Sequence, residues 1–206
     1  MSLENDVREL QARSAAGDLD AATAGQAELS ILDEFLRALE AGEVRAARPT
    51  SEGWEAVEWV KTGILLNFSL RDRQAREYGD VTYHDVLGLR ETGDLHERGT
   101  RNTPDGTTIR EGAYVGADAI LMSPSFVNVG AHVGDGTLVD SANTVGSCAQ
   151  IGENVKLGGN TLIGGVLEPV EDTPVVIEDD VSLGAGTRVT SGFVVGEGSV
   201  VGENTL

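Results

Sequence analysis

Val133-Gly134-Asp135-Gly136-Thr137-Leu138, Val139-Asp140-Ser141-Ala142-Asn143-Thr144, Val145-Gly146-Ser147-Cys148-Ala149-Gln150: these eighteen residues are three consecutive blocks of six, each opening on valine. The register extends without a break from Ile109 through Val115, Leu121 and Val127 to Ile151, Leu157 and Ile163. A fourteen-residue step then leads to Ile177, so one block carries an eight-residue insertion, and Leu183, Val189, Val195 and Val201 continue the pattern. Four places after the branched residue stands a small or lightly branched one, as at Ala113, Ala119, Ser125, Thr137, Ala149 and Thr161. Glycine often follows the branched residue directly, as at Gly116, Gly134, Gly146 and Gly158.

A strand repeats every two residues and a helix every 3.6, so a period of six fits neither alone. It fits a coil with three flat faces, each a short strand, in which the branched residue points inward and the small residue shares the interior. On this reading glycine relieves the backbone at the corner. Hexapeptide repeats mark parallel β-helices. Fifteen blocks make five coils, and at about 4.8 Å per coil the prism is about 24 Å tall.

The first half keeps a different period. Leu3 to Ala15 and Leu19 to Ala41 are rich in helix formers, and Leu29, Leu32, Leu36 and Leu39 recur at spacings of three and four. Gly42 follows where a helix end favours glycine. Val44 to Ala47 suits a short strand, and Trp54 to Leu70 suits a helix or a buried strand, with helix favoured. Residues 71–100 are charged and turn-rich, as a linker or irregular subdomain would be. The expected fold is therefore α+β: a mainly helical N-terminal domain over 1–100, then a parallel β-helix over 101–206.

The 206 residues carry 34 acidic and 15 basic side chains, a net charge of −19. Nucleic acid and anionic membranes are excluded as natural partners, since both need Lys and Arg. Only Lys61 and Lys156 are lysines. Abundant carboxylates, scarce lysine and few aromatics point to a salt-rich cytoplasm in which like charges are screened. One cysteine, Cys148, permits no internal disulfide. The segment from Met1 to Gly17 mixes charges without an apolar core, unlike a signal peptide, which again suggests a cytoplasmic protein. A zinc β-helix of the carbonic anhydrase kind needs three histidines, and the coils hold His132 alone. No metal site is expected.

Beyond the repeat, Asn128-Val129-Gly130-Ala131, Gly136-Thr137-Leu138-Val139-Asp140 and Thr144-Val145-Gly146-Ser147-Cys148-Ala149-Gln150-Ile151-Gly152 closely resemble the tetrahydrodipicolinate N-succinyltransferases of lysine biosynthesis. So do Ile163-Gly164-Gly165-Val166-Leu167-Glu168-Pro169 and Ile177-Glu178-Asp179, and in the helical half Leu39 to Ala47 and Trp54 to Phe68. The related N-acetyltransferases share the Ile-Glu-Asp-Asp segment but lack the Gly-Ser-Cys-Ala-Gln run, which favours succinyl over acetyl transfer. The resemblance implies a left-handed helix, a homotrimer, no permanently bound cofactor, and succinyl-CoA as co-substrate. It implies that the amine of L-2-amino-6-oxopimelate, the ring-opened substrate, attacks the thioester directly. Asp140 matches the family's substrate-binding aspartate, placed to hold that amine and take its proton. Arg101 matches an arginine that grips a substrate carboxylate through two parallel hydrogen bonds. On the later coils, Gly184 and Gly202 are candidates to offer backbone N–H groups to the pantetheine arm or the oxyanion. Cys148 reads as a packed small hydrophobe.

Three departures stand out. Arg188 occupies a position where the family often has glutamate, an extra residue lies near Ser123, and the chain stops at Leu206 while the family continues through further coils. The expectation is a prism truncated at its C-terminal end, prone to end-to-end association and weak in CoA binding. Besides the acetyl-transferring relative, the rival expectation is an inactive structural β-helix.

Overall fold

A computed structural model of the chain describes residues 2–104, 106–167 and 170–206. Glu168 and Pro169, the end of one quoted family segment, lie outside the described residues. Helix α1 (Leu3–Ala15) buries Val7 and Leu10. Helix α2 (Gln26–Glu40) opens with the Glu28 carboxylate accepting the Gly25 N–H at 3.1 Å. It buries Leu32, Phe35, Leu36 and Leu39, the stripe that the three-and-four spacing marks. Strands β1 (Ala47–Thr50) and β2 (Gly53–Ala56) form an antiparallel hairpin. Helix α3 (Glu58–Leu70) lays Gly63 against the Phe35 ring, where a Cβ would come within 2.7 Å of ring carbon. A second hairpin, β3 (Gln74–Tyr78) with β4 (Val81–Asp85), and the short helix α4 (Gly93–Glu97) lead into the coils.

Three sequence expectations need correction here. Leu19 to Gly25 is not helical: the Asp20 carboxylate accepts the Ala22 and Thr23 amides and turns the chain before α2 begins. The first strand runs Ala47–Thr50 rather than Val44 to Ala47. Trp54 to Ala56 is strand, because Trp54 pairs opposite Pro49 and Arg48 grips Glu55 at 2.9 Å; helix starts only at Glu58.

From Arg101 onward, sixteen two-residue strands among the described residues build three parallel sheets. The first face stacks Arg101–Asn102, Ile120–Leu121, Leu138–Val139, Lys156–Leu157, Ser182–Leu183 and Val200–Val201. The second runs from Thr108–Ile109 to Arg188–Val189, and the third from Tyr114–Val115 to Val194–Val195. Arg101–Asn102 thus forms a rung below the first hexad. This is the parallel β-helix of about five turns that the period requires, consistent with left-handed winding. The second residue of every strand from Ile109 to Leu183 is buried inside the prism. Ala113, Ala119, Thr137, Ala149 and Thr161 share that interior.

The glycines that follow the branched residues have a different cause from the one expected. Gly158 has no left-handed backbone, but a Cβ on it would lie 2.7 Å from the Ala185 nitrogen and 2.8 Å from the Leu183 oxygen of the coil above. These glycines let coils approach each other. The left-handed turn sits two places later, at Asn154 (φ 54°) and Asn160 (φ 59°) among others.

The helical half docks on the corner between the second and third faces. Val129, Cys148 and Val166 of the prism share one apolar core with Phe35, Leu36, Ile64 and their neighbours. Cys148 is fully buried there and its thiol is pushed up to about 12, so it packs and does not react. The insertion folds onto α3, where Lys61 Nζ donates to the Glu171 carbonyl at 2.9 Å and to Asp172 Oδ1 at 3.2 Å.

Candidate functional site

Register alone sets the geometry of the first face. Arg101 pairs with Ile120 and Ile120 with Leu138, so Arg101 stands two rungs below Leu138 on the outer surface, about 10 Å along the prism axis. Asp140 follows Val139 at the corner between first and second faces. Its N–H donates to the Leu157 carbonyl at 3.1 Å, and its own carbonyl accepts the Ser125 hydroxyl at 3.0 Å. Asp140 Oδ1 accepts the Ser141 amide at 2.7 Å. The backbone is therefore fixed by the coils above and below, and one carboxylate oxygen is oriented by the turn. Asp140 is half-buried and Arg101 exposed. No hydrogen bond or ion pair joins them among the described residues.

The repeat explains why the aspartate has room. In its corner column the coils above carry Gly158 and Gly184, and a Cβ on the next residue, Gly159, would still be 3.9 Å from Asp140 Oδ2. Asp140 is the one carboxylate in a column of Met122, Asp140, Gly158, Gly184 and Gly202. Lys156, which the sequence pattern did not single out, stands outward on this face one rung above Leu138. Arg101 and Lys156 thus bracket Asp140 along the axis. The repeat carries no signal for Lys156, since the outward place before the branched residue also holds Ile120, Leu138, Ser182 and Val200.

Gly184 does not fit its expected part. Its N–H donates to the Val201 carbonyl at 2.8 Å, so the amide is already engaged. The residue is small because a Cβ would lie 2.5 Å from the Glu203 nitrogen. The Gly202 carbonyl accepts the hydroxyls of Thr187 at 3.1 Å and Thr205 at 2.8 Å. Arg188 is outward on the second face, above Leu162, and donates to the Gly186 carbonyl at 3.0 Å. His132 is outward on the third face, stacked on Tyr114 with centroids 4.3 Å apart.

A trefoil of short parallel strands, with polar side chains held at its corners and a helical domain docked on one edge, defines a hexapeptide-repeat β-helix protein. Residues 2–70 match the family model described as the tetrahydrodipicolinate N-succinyltransferase N-terminal domain. A 2,3,4,5-tetrahydropyridine-2,6-dicarboxylate N-succinyltransferase from Caulobacter vibrioides is 42% identical over 196 residues, covering 91% of this chain and 70% of its own. Those from Dechloromonas aromatica (42% over 177 residues, 84% of this chain) and Methylorubrum populi (40% over 190 residues, 89%) are similar. The chain belongs to the 2,3,4,5-tetrahydropyridine-2,6-dicarboxylate N-succinyltransferase family. The matches span 64% and 66% of the latter two relatives, just under two thirds of their length. A solved perosamine N-acetyltransferase mutant from Caulobacter crescentus, in complex with CoA and GDP-perosamine, is 20% identical with a TM-score of 0.40, covering 50% of this chain and 47% of its own. That likeness is too weak to carry an argument.

Proposed function

We propose that this chain transfers the succinyl group of succinyl-CoA to the amine of L-2-amino-6-oxopimelate, the ring-opened form of tetrahydrodipicolinate. The observation that carries the proposal is the 42% identity to the Caulobacter vibrioides enzyme across 91% of this chain. The amine nitrogen attacks the thioester carbonyl, the C–S bond breaks, an amide forms, and CoA leaves as its thiol. The nitrogen must lose a proton, and Asp140, oriented through its Ser141 contact, is the group we assign to hold the amine and receive it. Arg101 holds a carboxylate of the substrate through its guanidinium fork. Gly202 remains the residue we assign to the CoA arm; Gly184, whose N–H is engaged by the Val201 carbonyl, is dropped from that part. The co-substrate succinyl-CoA is turned over rather than retained, and no permanent cofactor or metal enters this scheme.

In the same proposal the protein is a cytoplasmic homotrimer adapted to high salt, with domains over 1–100 and 101–206. Prisms with flat faces suit three-fold closure. Among the described residues, no helix is long and apolar enough to cross a membrane.

The test is thiol release from succinyl-CoA with the aminopimelate substrate, with acetyl-CoA as competing donor; buried Cys148 adds no signal. Asp140→Asn should cut turnover by about 10²–10⁴-fold, the scale of a positioned proton acceptor, with unchanged melting. Arg101→Ala should chiefly raise KM for the amine substrate. Wild-type kinetics in both variants would overturn the site, and preference for acetyl-CoA would overturn the donor. Sedimentation at high salt showing only monomer would overturn the trimer.

A further inference from the structure

On the opposite side of the prism from Asp140, a cavity of about 440 Å³ lies between the β1–β2 hairpin and the third face. That volume falls within the ordinary range of small-molecule sites. Arg45 reaches into it from the segment before β1. Its Nε donates to Gln150 Oε1 at 2.9 Å, and Gln150 is fully buried and tied to the Cys148 carbonyl at 2.9 Å. The guanidinium carbon sits 5.7 Å over the Trp54 ring, and Trp54 Nε1 donates to Glu178 at 2.7 Å. The arginine is thus held on two sides, yet its two terminal nitrogens have no hydrogen-bond partner and no carboxylate within ion-pair distance among the described residues.

The other wall carries the opposite charge. Asp135, Glu153, Asp179 and Glu197 line the cavity, and none takes part in an ion pair among the described residues. Asp179 and Asp135 each use one oxygen to accept a backbone amide, of Glu153 at 2.8 Å and Ala117 at 2.9 Å. Their second oxygens, and both of Glu153 and Glu197, are unengaged among the described residues. His132 adds no positive charge: burial first, and Arg45 second, depress it to about 3. One oriented fork therefore shares the cavity with four carboxylates that have free oxygens and a fifth, Glu178, whose oxygens accept Trp54 Nε1 and the Glu197 amide. A simple anion would satisfy the fork and be repelled by the wall, while a simple cation would leave the fork unmatched. A molecule with a carboxylate at one end and ammonium groups at the other satisfies both.

We propose that this cavity is a binding site for a free amino acid with a basic side chain, its carboxylate on Arg45 and its ammonium groups on the Glu153–Asp179 wall. The site is separate from the Arg101–Asp140 face and does not depend on which acyl group that face transfers. The test is calorimetric titration of the full chain with L-lysine, with acetate and with n-butylamine, all at one fixed ionic strength. L-lysine should saturate at one per chain, while acetate and butylamine should each bind at least about tenfold more weakly, since each meets half of the site. Arg45→Gln should weaken L-lysine by about tenfold or more, the value of a charge-assisted fork. If Arg45→Gln also lowers the melting temperature, Glu153→Gln decides, because that side chain is exposed and holds no other residue. It should weaken L-lysine several-fold and leave acetate unchanged. Asp140→Asn and Arg101→Ala should leave the isotherm as it is. No saturable L-lysine binding, equal binding of acetate or butylamine, or loss of binding in Asp140→Asn would each overturn the proposal, the last by moving the ligand to the first face.

Discussion

Gly158 and Gly159 are neighbours in one turn, and alanine should have opposite effects at the two. A Cβ at Gly158 would lie 2.7 Å from the Ala185 nitrogen, 2.8 Å from the Leu183 oxygen and 3.0 Å from the Gly184 carbonyl carbon. All three are backbone atoms of the next coil, so no flexible side chain can swing aside. Relieving the closest contact means separating the coils locally by about 0.7 Å, judged against an ordinary van der Waals limit. That separation would stretch the Gly158 N–H to Leu183 bond, now 2.9 Å, past a useful length. Overpacking costs about 1–3 kcal/mol and a lost hydrogen bond about 1 more, so Gly158→Ala should destabilise by about 2–4 kcal/mol. At about 2–4 °C per kcal/mol for a chain of this size, melting should fall by about 4–16 °C. At Gly159 the nearest atom is the Ser141 oxygen at 3.5 Å and the backbone is not left-handed. Gly159→Ala should therefore leave stability unchanged or raise it by about 0.4–1 kcal/mol through the unfolded chain. Calorimetric melting of both variants at one scan rate and one salt concentration makes the comparison. Equal shifts, or a Gly158→Ala protein as stable as the parent, would refute close coil approach as the reason for these glycines.

Two further outcomes follow from charge. His132 is depressed to about 3 in the fold against an ordinary value near 6.5, so between those limits the unfolded chain takes up a proton that the native one refuses. Stability should fall as pH drops through that window, at up to about 1.4 kcal/mol per unit, and His132→Gln should flatten the slope above pH ~4.5 in urea titrations; an unchanged slope would show that the ring is not held neutral. Glu40, raised chiefly by burial, acts in the opposite sense and remains in both proteins. With 34 acidic against 15 basic residues, melting temperature should rise with potassium chloride as the screening length contracts from about 30 Å at 0.01 M to about 3 Å at 1 M. A melting temperature indifferent to salt would remove the case for salt adaptation.

The prism was legible because its interior repeats. A position such as Val133 or Leu157 meets the same surroundings in every coil, so burial writes itself into the sequence at a fixed period. The helical half offered only local signals, and these failed where distant contacts decide. Trp54 to Val57 suits a strand or a helix by composition; what makes it strand is the pairing of Glu55 with Arg48 and the anchoring of Trp54 on Glu178, 124 residues away. The Arg45–Gln150 bond spans 105 residues and joins two halves whose periods share nothing, so no pattern in either half announces it. Arg101 and Asp140 were found through family resemblance, and the register places both on or beside the first face.

Glycine shows how a repeat can hide two causes in one letter. Three places after the branched residue the backbone is left-handed, and there Asn154, Asn160, Asp180 and Asn204 substitute for glycine, as residues tolerant of that conformation do. One place after it, the backbone is ordinary and glycine serves only to let the next coil close in, as at Gly158. A side chain can stand at that position only by projecting out of the corner. Asp140 does so, in a column where the two coils above it keep glycine. A polar side chain at that place departs from the glycine that most hexads keep. The hexads alone do not single out Asp140, because Arg110, Asn128, Glu178 and Thr190 hold the same place in theirs. Nor do they single out Lys156, because the outward position before the branched residue accepts Ile120, Leu138, Ser182 and Val200 on the same face without penalty.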